Sequence, residues 1–274
     1  MINEPEAPNL SQMIDFAQVE DVLHRAASAA AAVTLPFFRT PLAVENKWTR
    51  GFDPVTQADK QAETAVREII AAAFPDHGII GEEWAPKATQ SAFNWIVDPI
   101  DGTRAFISGV PVWGTLIGLT HEGRAVAGLM AQPFTGEVFV SLPDKAEYLH
   151  GGKAMPLRTS PVTDLSAAKL TTTTPDLFRM PEVQPVWDAF WPQVLQTRYG
   201  LDCYGYCLLA LGQIDLVVEA GLKDVDIAPL IPIIENAGGV ITTWDGGRAE
   251  AGGNCLASAN PQLHRKALAA LQSR

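Results

Sequence analysis

Asp98-Pro99-Ile100-Asp101-Gly102-Thr103 follows without a break on the apolar run Phe93-Asn94-Trp95-Ile96-Val97. The run reads as a short strand, and the hexapeptide as what that strand delivers at its C-terminal end, where α/β sheets commonly hold ligands. Pro99 fixes the backbone between the two aspartates, so a rigid turn there aims both carboxylates and the Ile100 carbonyl at one point. Converging oxygen donors suit a hard divalent cation such as magnesium. Two such ions about 3.5–4 Å apart can clamp the attacking and leaving oxygens of a phosphate ester. A single Asp after a strand is ordinarily a turn or a helix cap. The combination of acidic segments is what raises the reading above that.

Outward from the hexapeptide, Gly81-Glu82-Glu83 ends the apolar stretch Gly78-Ile79-Ile80, and Val225-Asp226-Ile227-Ala228-Pro229 opens a late helix. Glu82, Asp98, Asp101 and Asp226 are therefore the candidate metal ligands. Before them, residues 14–35 read as an Ala-rich amphipathic helix. A second helix over 57–73 is marked by Ala62, Ala65, Val66, Ile69 and Ile70 at helical spacing and by a Thr56/Asp59 start signal. The spacing of apolar residues and turns predicts an antiparallel meander with strands at 114–120, 125–132 and 137–141. Beyond residue 145 the pattern changes to strands at 169–173, 214–219, 240–243 and 255–258, with helices at 182–194, 203–212, 226–237 and 261–272. Two halves are expected: 1–145, α+β, with most of the metal ligands, and 146–274, α/β, with Asp226 and the substrate-facing residues.

The 274 residues are 47% hydrophobic and carry a net charge of −11. That charge, with Lys and Arg scattered, disfavours nucleic acid and anionic membranes as partners. Cys203, Cys207 and Cys255 form no disulfide pattern and read as reduced, packed thiols. No run approaches the ~20 apolar residues needed to span a membrane, and the polar, acidic N-terminus lacks the layout of a signal peptide. The expected location is the cytoplasm. Trp95 and Trp113, which flank the central motif, are expected to wall a pocket or fill the core.

Taken in order, Gly81-Glu82-Glu83, Asp98 through Thr103, and Asp226-Ile227-Ala228 with the later Gly238-Gly239 resemble the inositol-monophosphatase-like family of metal-dependent phosphatases. The resemblance spans nearly the whole chain. It implies a layered αβαβα sandwich, a homodimer, inhibition by lithium and two to three Mg2+ ions per site. Glu82, Asp98 and the Ile100 carbonyl would hold the first ion; Asp98, Asp101 and Asp226 the second; a third, weaker ion would lean on Glu82. Asp59 and Thr103 match the pair that orients and activates the attacking water, with Glu82 beside them. The Gly102 and Thr103 amides would bind phosphate, a geometry that suits an anion on physical grounds too. Lys47 matches a lysine near the first metal, or else is a solvated surface residue.

Within the family, DPIDGTRAFISGVPVWG (Asp98–Gly114) and DCYGYCLL (Asp202–Leu209) look most like the histidinol-phosphate phosphatase branch. Ala105 and Val225 replace the Asn and Trp of many relatives, which weakens an inositol-phosphate assignment. Histidinol phosphate carries an ammonium group and an imidazole. Asp202 and Glu219, at substrate-facing positions of the family, could pair with a cation and accept an imidazole N–H. Taken alone, Asp202 reads equally as a helix N-cap, Glu219 as a strand-end surface residue and Arg104 as a phosphate, substrate or surface ion-pair residue. The expected reaction is hydrolysis of a small phosphorylated metabolite. The alternatives are an inositol, fructose bisphosphate or phosphoadenosine phosphatase, and, in another class, a silent binding scaffold. Intact Asp59, Thr103 and metal carboxylates argue against the last.

Overall fold

The computed structural model describes residues 10–41, 43–46 and 54–273; Lys47 lies outside them. Asp15 caps the first long helix, Phe16–Thr34, by accepting the Ala17 N–H at 2.9 Å. Its Val19, Val22, Leu23, Ala26 and Ala30 are fully buried against Ala62, Val66 and Ile70 of the helix Gln57–Ala73. The predicted capping pair is present there: Thr56 accepts from Ala58 N, while Asp59 accepts from Thr56 N at 2.8 Å.

These two helices cover one face of a seven-stranded sheet. It runs from Gly78–Gly81 through Phe93–Asp101, Gly114–His121, Arg124–Gln132, Glu137–Leu142 and Lys145–His150 to Lys153–Pro156. The first pair is parallel and the rest antiparallel. The sheet continues past residue 145, and the second sheet begins only at Lys169. That second sheet has five strands, ordered Gln196–Tyr199, Lys169–Thr172, Leu216–Leu222, Gly253–Ser258, Val240–Thr243. Between the sheets lie the helix Asp202–Ala210 and the segment Asp224–Asn236, packed among Leu116, Met130, Phe139, Val217 and Ile241. The helices Gln184–Phe190 and Pro261–Gln272 close the outer face with Trp187, Phe190, Leu263 and Ala267. The layers therefore run α, β, α, β, α, as expected. Trp95 and Trp113 are fully buried, so they fill the core, and the three cysteines are free and buried. Among the described residues no helix is long and apolar enough to cross a membrane.

The late helix differs from the sequence expectation. Residues 226–237 do not form one helix. Asp224–Ile227 is α-helical, Ala228–Leu230 is a 3-10 turn and Ile231–Asn236 is a second helix. Pro229 and Pro232 lack the N–H groups that a continuous ladder needs. The break has a packing purpose. Pro229 sits against Gly118 and Gly128, which pair across neighbouring strands. A Cβ on Gly128 would lie 1.9 Å from the Pro229 carbonyl oxygen. This contact brings the Asp226 segment onto the sheet. We predict that Gly128→Ala destabilises the protein by about 2–3 kcal/mol, because backbone must give way on both sides; urea unfolding monitored by tryptophan fluorescence checks this. The predicted helix over 182–194 likewise shortens to Gln184–Phe190 with a 3-10 turn at Trp191–Gln193, where Pro192 intervenes.

Candidate active site

Residues i and i+3 of a regular strand point to opposite faces, yet Asp98 and Asp101 meet. The register explains it: Asp98 pairs with Leu116 and Asp101 with Gly114, so one residue more is spent on one strand than on the other. A β-bulge inside the strand, and not a turn after it, turns both carboxylates to one side. The Thr115 hydroxyl holds the bulge by donating to the Pro99 carbonyl at 2.8 Å. Gly102 follows at φ +81, and a Cβ there would crowd Asp202 at 3.1 Å. The second sheet has the same device. Glu219 pairs with Cys255 and Leu222 with Gly253, with Gly221 at φ +75 between them.

Carboxylate oxygens of Asp98, Asp101 and Asp226 come within 4.8 Å of one another. A backbone N–H pins one oxygen of each. Ile100 N donates to Asp98 at 3.0 Å, Cys203 N to Asp101 at 2.9 Å and Lys223 N to Asp226 at 2.7 Å. Glu82 stands beside them and takes the Lys223 ammonium at 2.8 Å. Its loop rests on Glu63, which is fully buried, accepts from Arg67 Nε at 2.6 Å and accepts from Glu83 N at 2.6 Å. Gly81 is needed at this point, since a Cβ would meet Glu63 Oε1 at 2.0 Å.

Desolvation, then repulsion from Glu82, Asp101, Asp226 and Asp59, raises Asp98 well above the usual carboxylate range. Burial, with Asp226 and Asp202 adding to it, does the same to Asp101. Burial pushes Asp226 up to about 6. Asp59 is also raised, by burial first, against the hydrogen bonds from Thr56. Crowded anionic oxygens, raised by one another and answered at Glu82 by the Lys223 ammonium, fit a hard multivalent cation.

The cluster lines a pocket of about 230 Å³ that also meets Gly102, Thr103, Arg104, Asp202, Glu219 and Lys223. Thr103 donates to the Ile100 carbonyl at 3.1 Å, and Asp59 is held by Thr56 at 2.6 Å. Each of the expected water-orienting pair is thus anchored to its own segment; the Asp59 charge reaches Asp98, but Asp59 is not among the residues lining the pocket. Arg104 is exposed, and its charge draws Asp202 down against burial, which pushes Asp202 up to about 6. Asp202 is not the helix N-cap: Leu201 holds that position, and Asp202 is the first helical residue at φ +46. A non-glycine residue in the left-handed region costs energy and is concentrated at functional sites. Glu219 is not a surface residue either. It is 2% exposed, and burial pushes it up to about 8 against a hydrogen bond from Thr173 N at 2.6 Å. The sequence reading missed Glu63 and Lys223; a glutamate on the buried stripe of a helix, four residues before an arginine, is the signal that was present for the first.

Carboxylates that line one pocket, pinned by the backbone and crowded by one another, suit bound cations and the hydrolysis of small phosphate esters. The model of the inositol monophosphatase family matches residues 15–274. The chain belongs to that family and is a phosphatase. It is 37% identical to the bifunctional phosphatase IMPL2, chloroplastic, of Arabidopsis thaliana, over 99% of this chain and 82% of that protein. It is 36% identical to the histidinol-phosphatase of Chlorobaculum parvum, over 89% of this chain and 93% of that one. Among solved structures, an inositol monophosphatase from Zymomonas mobilis superposes with a TM-score of 0.83 at 38% identity, covering 94% of this chain and 99% of that one.

A pH dependence follows for the metal-free protein. Each raised carboxylate has a folded pKa above its unfolded value, so the folded chain holds extra protons and loses stability as pH rises through the folded value. Above pH 6.5 Glu219, at about 8, carries the loss, and Asp98 and Asp101 are raised in the same direction. His264, lowered to about 4 by burial, acts in the opposite sense only below its ordinary 6.5. Between about pH 6.5 and 8.5 the melting midpoint in chelator is expected to fall by about 3–8 °C. Differential scanning fluorimetry checks it, and saturating magnesium is expected to flatten the slope.

Proposed function

We propose that the protein hydrolyses L-histidinol phosphate to L-histidinol and phosphate. The observation that carries this reading is the pair Asp202 and Glu219, two acidic side chains that line the same pocket as Asp98, Asp101 and Asp226. Acidic side chains in the pocket beyond the metal ligands suit a substrate whose phosphate meets metal and whose remaining part is cationic. The relatives named histidinol-phosphatase support it.

Glu82, Asp98, Asp101, Asp226 and the Ile100 carbonyl would hold magnesium. Bound there, magnesium supplies charge stabilisation at the phosphate oxygens and lowers the pKa of coordinated water. The protein's own part is positioning. The Gly102 and Thr103 N–H groups, at the head of the short helix Thr103–Ile107, bind phosphate oxygens. Thr103 and Asp59 orient the attacking water, with Asp59, raised by burial, taking its proton. Attack in line with the ester oxygen forms the new P–O bond as the old one breaks, and the leaving oxygen takes a proton from solvent to depart as the alcohol.

Glu63→Gln is expected to weaken magnesium binding by about 10–100-fold, since one oxygen can no longer serve both Arg67 and the Glu83 N–H that anchors the Glu82 loop; calorimetric titration reads this. The reading itself is tested by phosphate release from histidinol phosphate, inositol 1-phosphate, fructose bisphosphate and phosphoadenosine phosphate, with and without magnesium. Magnesium-dependent preference for histidinol phosphate is expected. Preference for another ester would overturn the substrate and leave the metal chemistry in place.

A further inference from the structure

A second cavity lies at the other end of the first sheet. Asp101 pairs with Gly114 at the start of the strand Gly114–His121, and Arg124 pairs with His121 at its end. Seven residues of strand put Arg124 about 23 Å along the sheet from the level of Asp101. There a cavity of about 140 Å³ is lined from the sheet, from the helix Ile231–Asn236 and from residues 248–250. Ile231, Ile241 and Ala249 give it buried apolar surface. Arg124, Arg248, Glu235 and Glu250 give it two charges of each sign.

The four charges are not equivalent. Arg248 and Glu250 satisfy each other. Arg248 Nε donates to Glu250 Oε2 at 3.0 Å and Nη2 to Glu250 Oε1, while Nη2 also donates to the Gly123 carbonyl at 2.9 Å. Arg124 and Glu235 are left over. Neither side chain makes a hydrogen bond or ion pair with another described residue, although the Arg124 charge acts on Glu235. Burial, then repulsion from Glu250, raises the Glu235 carboxyl above its ordinary range, against the pull of Arg248 and Arg124. A carboxylate that loses water and gains no donor is held at a cost. A guanidinium and a desolvated carboxylate that line one cavity without touching leave room for a ligand that joins them.

Charge decides the class of that ligand. A lone anion such as phosphate would meet Glu235 and Glu250, and a lone cation would meet Arg124 and Arg248. A ligand that carries both charges avoids each repulsion. The head group of an α-amino acid is of this kind. Its carboxylate matches the Arg124 fork, and its ammonium brings Glu235 the donors it lacks. Size agrees, since the cavity has the volume of about five water molecules. That holds the head group and a short side chain beside Ile231 and Ile241.

We propose that Arg124 and Glu235 form a second binding site, separate from the phosphatase pocket, for the zwitterionic head group of a free α-amino acid. The site is independent of which ester is hydrolysed. Glu235 belongs to the helix that continues the Asp226 segment, and Arg124 to a strand of the sheet on which that segment is seated. A bound amino acid joins the two elements.

Calorimetric titration of the magnesium-loaded protein with glycine and L-alanine tests the site, with acetate and methylammonium as single-charge controls. Each amino acid is expected to bind with a Kd on the order of 1 mM, and each control about 10-fold more weakly or worse. Arg124→Gln and Glu235→Gln are each expected to weaken amino-acid binding by about 10-fold or more. Phosphate release without amino acid should stay at the parent's rate in both variants, because neither residue lines the catalytic pocket. Glycine should raise the melting midpoint of the parent more than that of either variant. No heat from either amino acid up to about 50 mM overturns the proposal. Binding that survives both substitutions also overturns it, since the amino acid then sits elsewhere. Acetate or methylammonium binding as tightly as glycine overturns it as well, since the site then reads a single charge.

Discussion

Asp98→Asn lowers kcat/KM by about 10⁴-fold or more and at the same time raises the melting midpoint of the metal-free protein. The first effect is expected because Asp98 stands nearest the centre of the cluster, facing Glu82, Asp101 and Asp226. An amide there lowers the negative charge that holds cations, and residues acting as one unit fail together. The second effect comes from the same crowding. Asp98 is 2% exposed, and in chelator its carboxylate has repulsion on every side. An amide of the same shape keeps an oxygen for the Ile100 N–H and removes the cost of burying that charge or of protonating it. A rise of about 2–6 °C in chelator is expected, together with loss of the upward shift that magnesium gives the parent. Scanning fluorimetry with and without magnesium, beside a phosphate-release assay, reads both. Normal magnesium-dependent turnover by the Asp98→Asn variant would mean the site is elsewhere.

The second large effect concerns Glu219. Glu219→Gln is expected to lower kcat/KM for histidinol phosphate by about 10²-fold or more, chiefly through KM, since a buried partner of a cationic group is being neutralised. The Thr173 N–H at 2.6 Å keeps an acceptor in the amide, so the fold should hold. Inositol 1-phosphate, which brings no cation, should lose much less. Steady-state kinetics on the two esters reads the difference, and an equal loss on both would make Glu219 a structural residue.

The layers of the fold were legible because periodicity is local. The helix over 57–73 and the strand over 240–243 agree with the structure residue for residue. The central motif was legible as chemistry but not as geometry. That Asp98 and Asp101 share a face depends on the register with Leu116 and Gly114, a property of two strands that neither one states. The broken helix after Asp226 was within reach, because Pro229 and Pro232 stood in view; its reason, the Gly118–Gly128 seat, lies about a hundred residues away in the chain. Glu63 and Lys223 were passed over for a common reason. Each looks like an ordinary helical or loop residue until burial and partners are known.

The central claim is that Glu82, Asp98, Asp101 and Asp226 hold the ions that the phosphatase needs. Manganese is a spectroscopically visible substitute for magnesium at oxygen sites. Anomalous diffraction from a manganese-soaked crystal tests the claim most directly. The account predicts at least two peaks about 3.5–4 Å apart, with Asp98 touching both and Lys223 displaced from Glu82. Manganese bound at other residues, with Lys223 still on Glu82 and no peak beside Asp98, would contradict it.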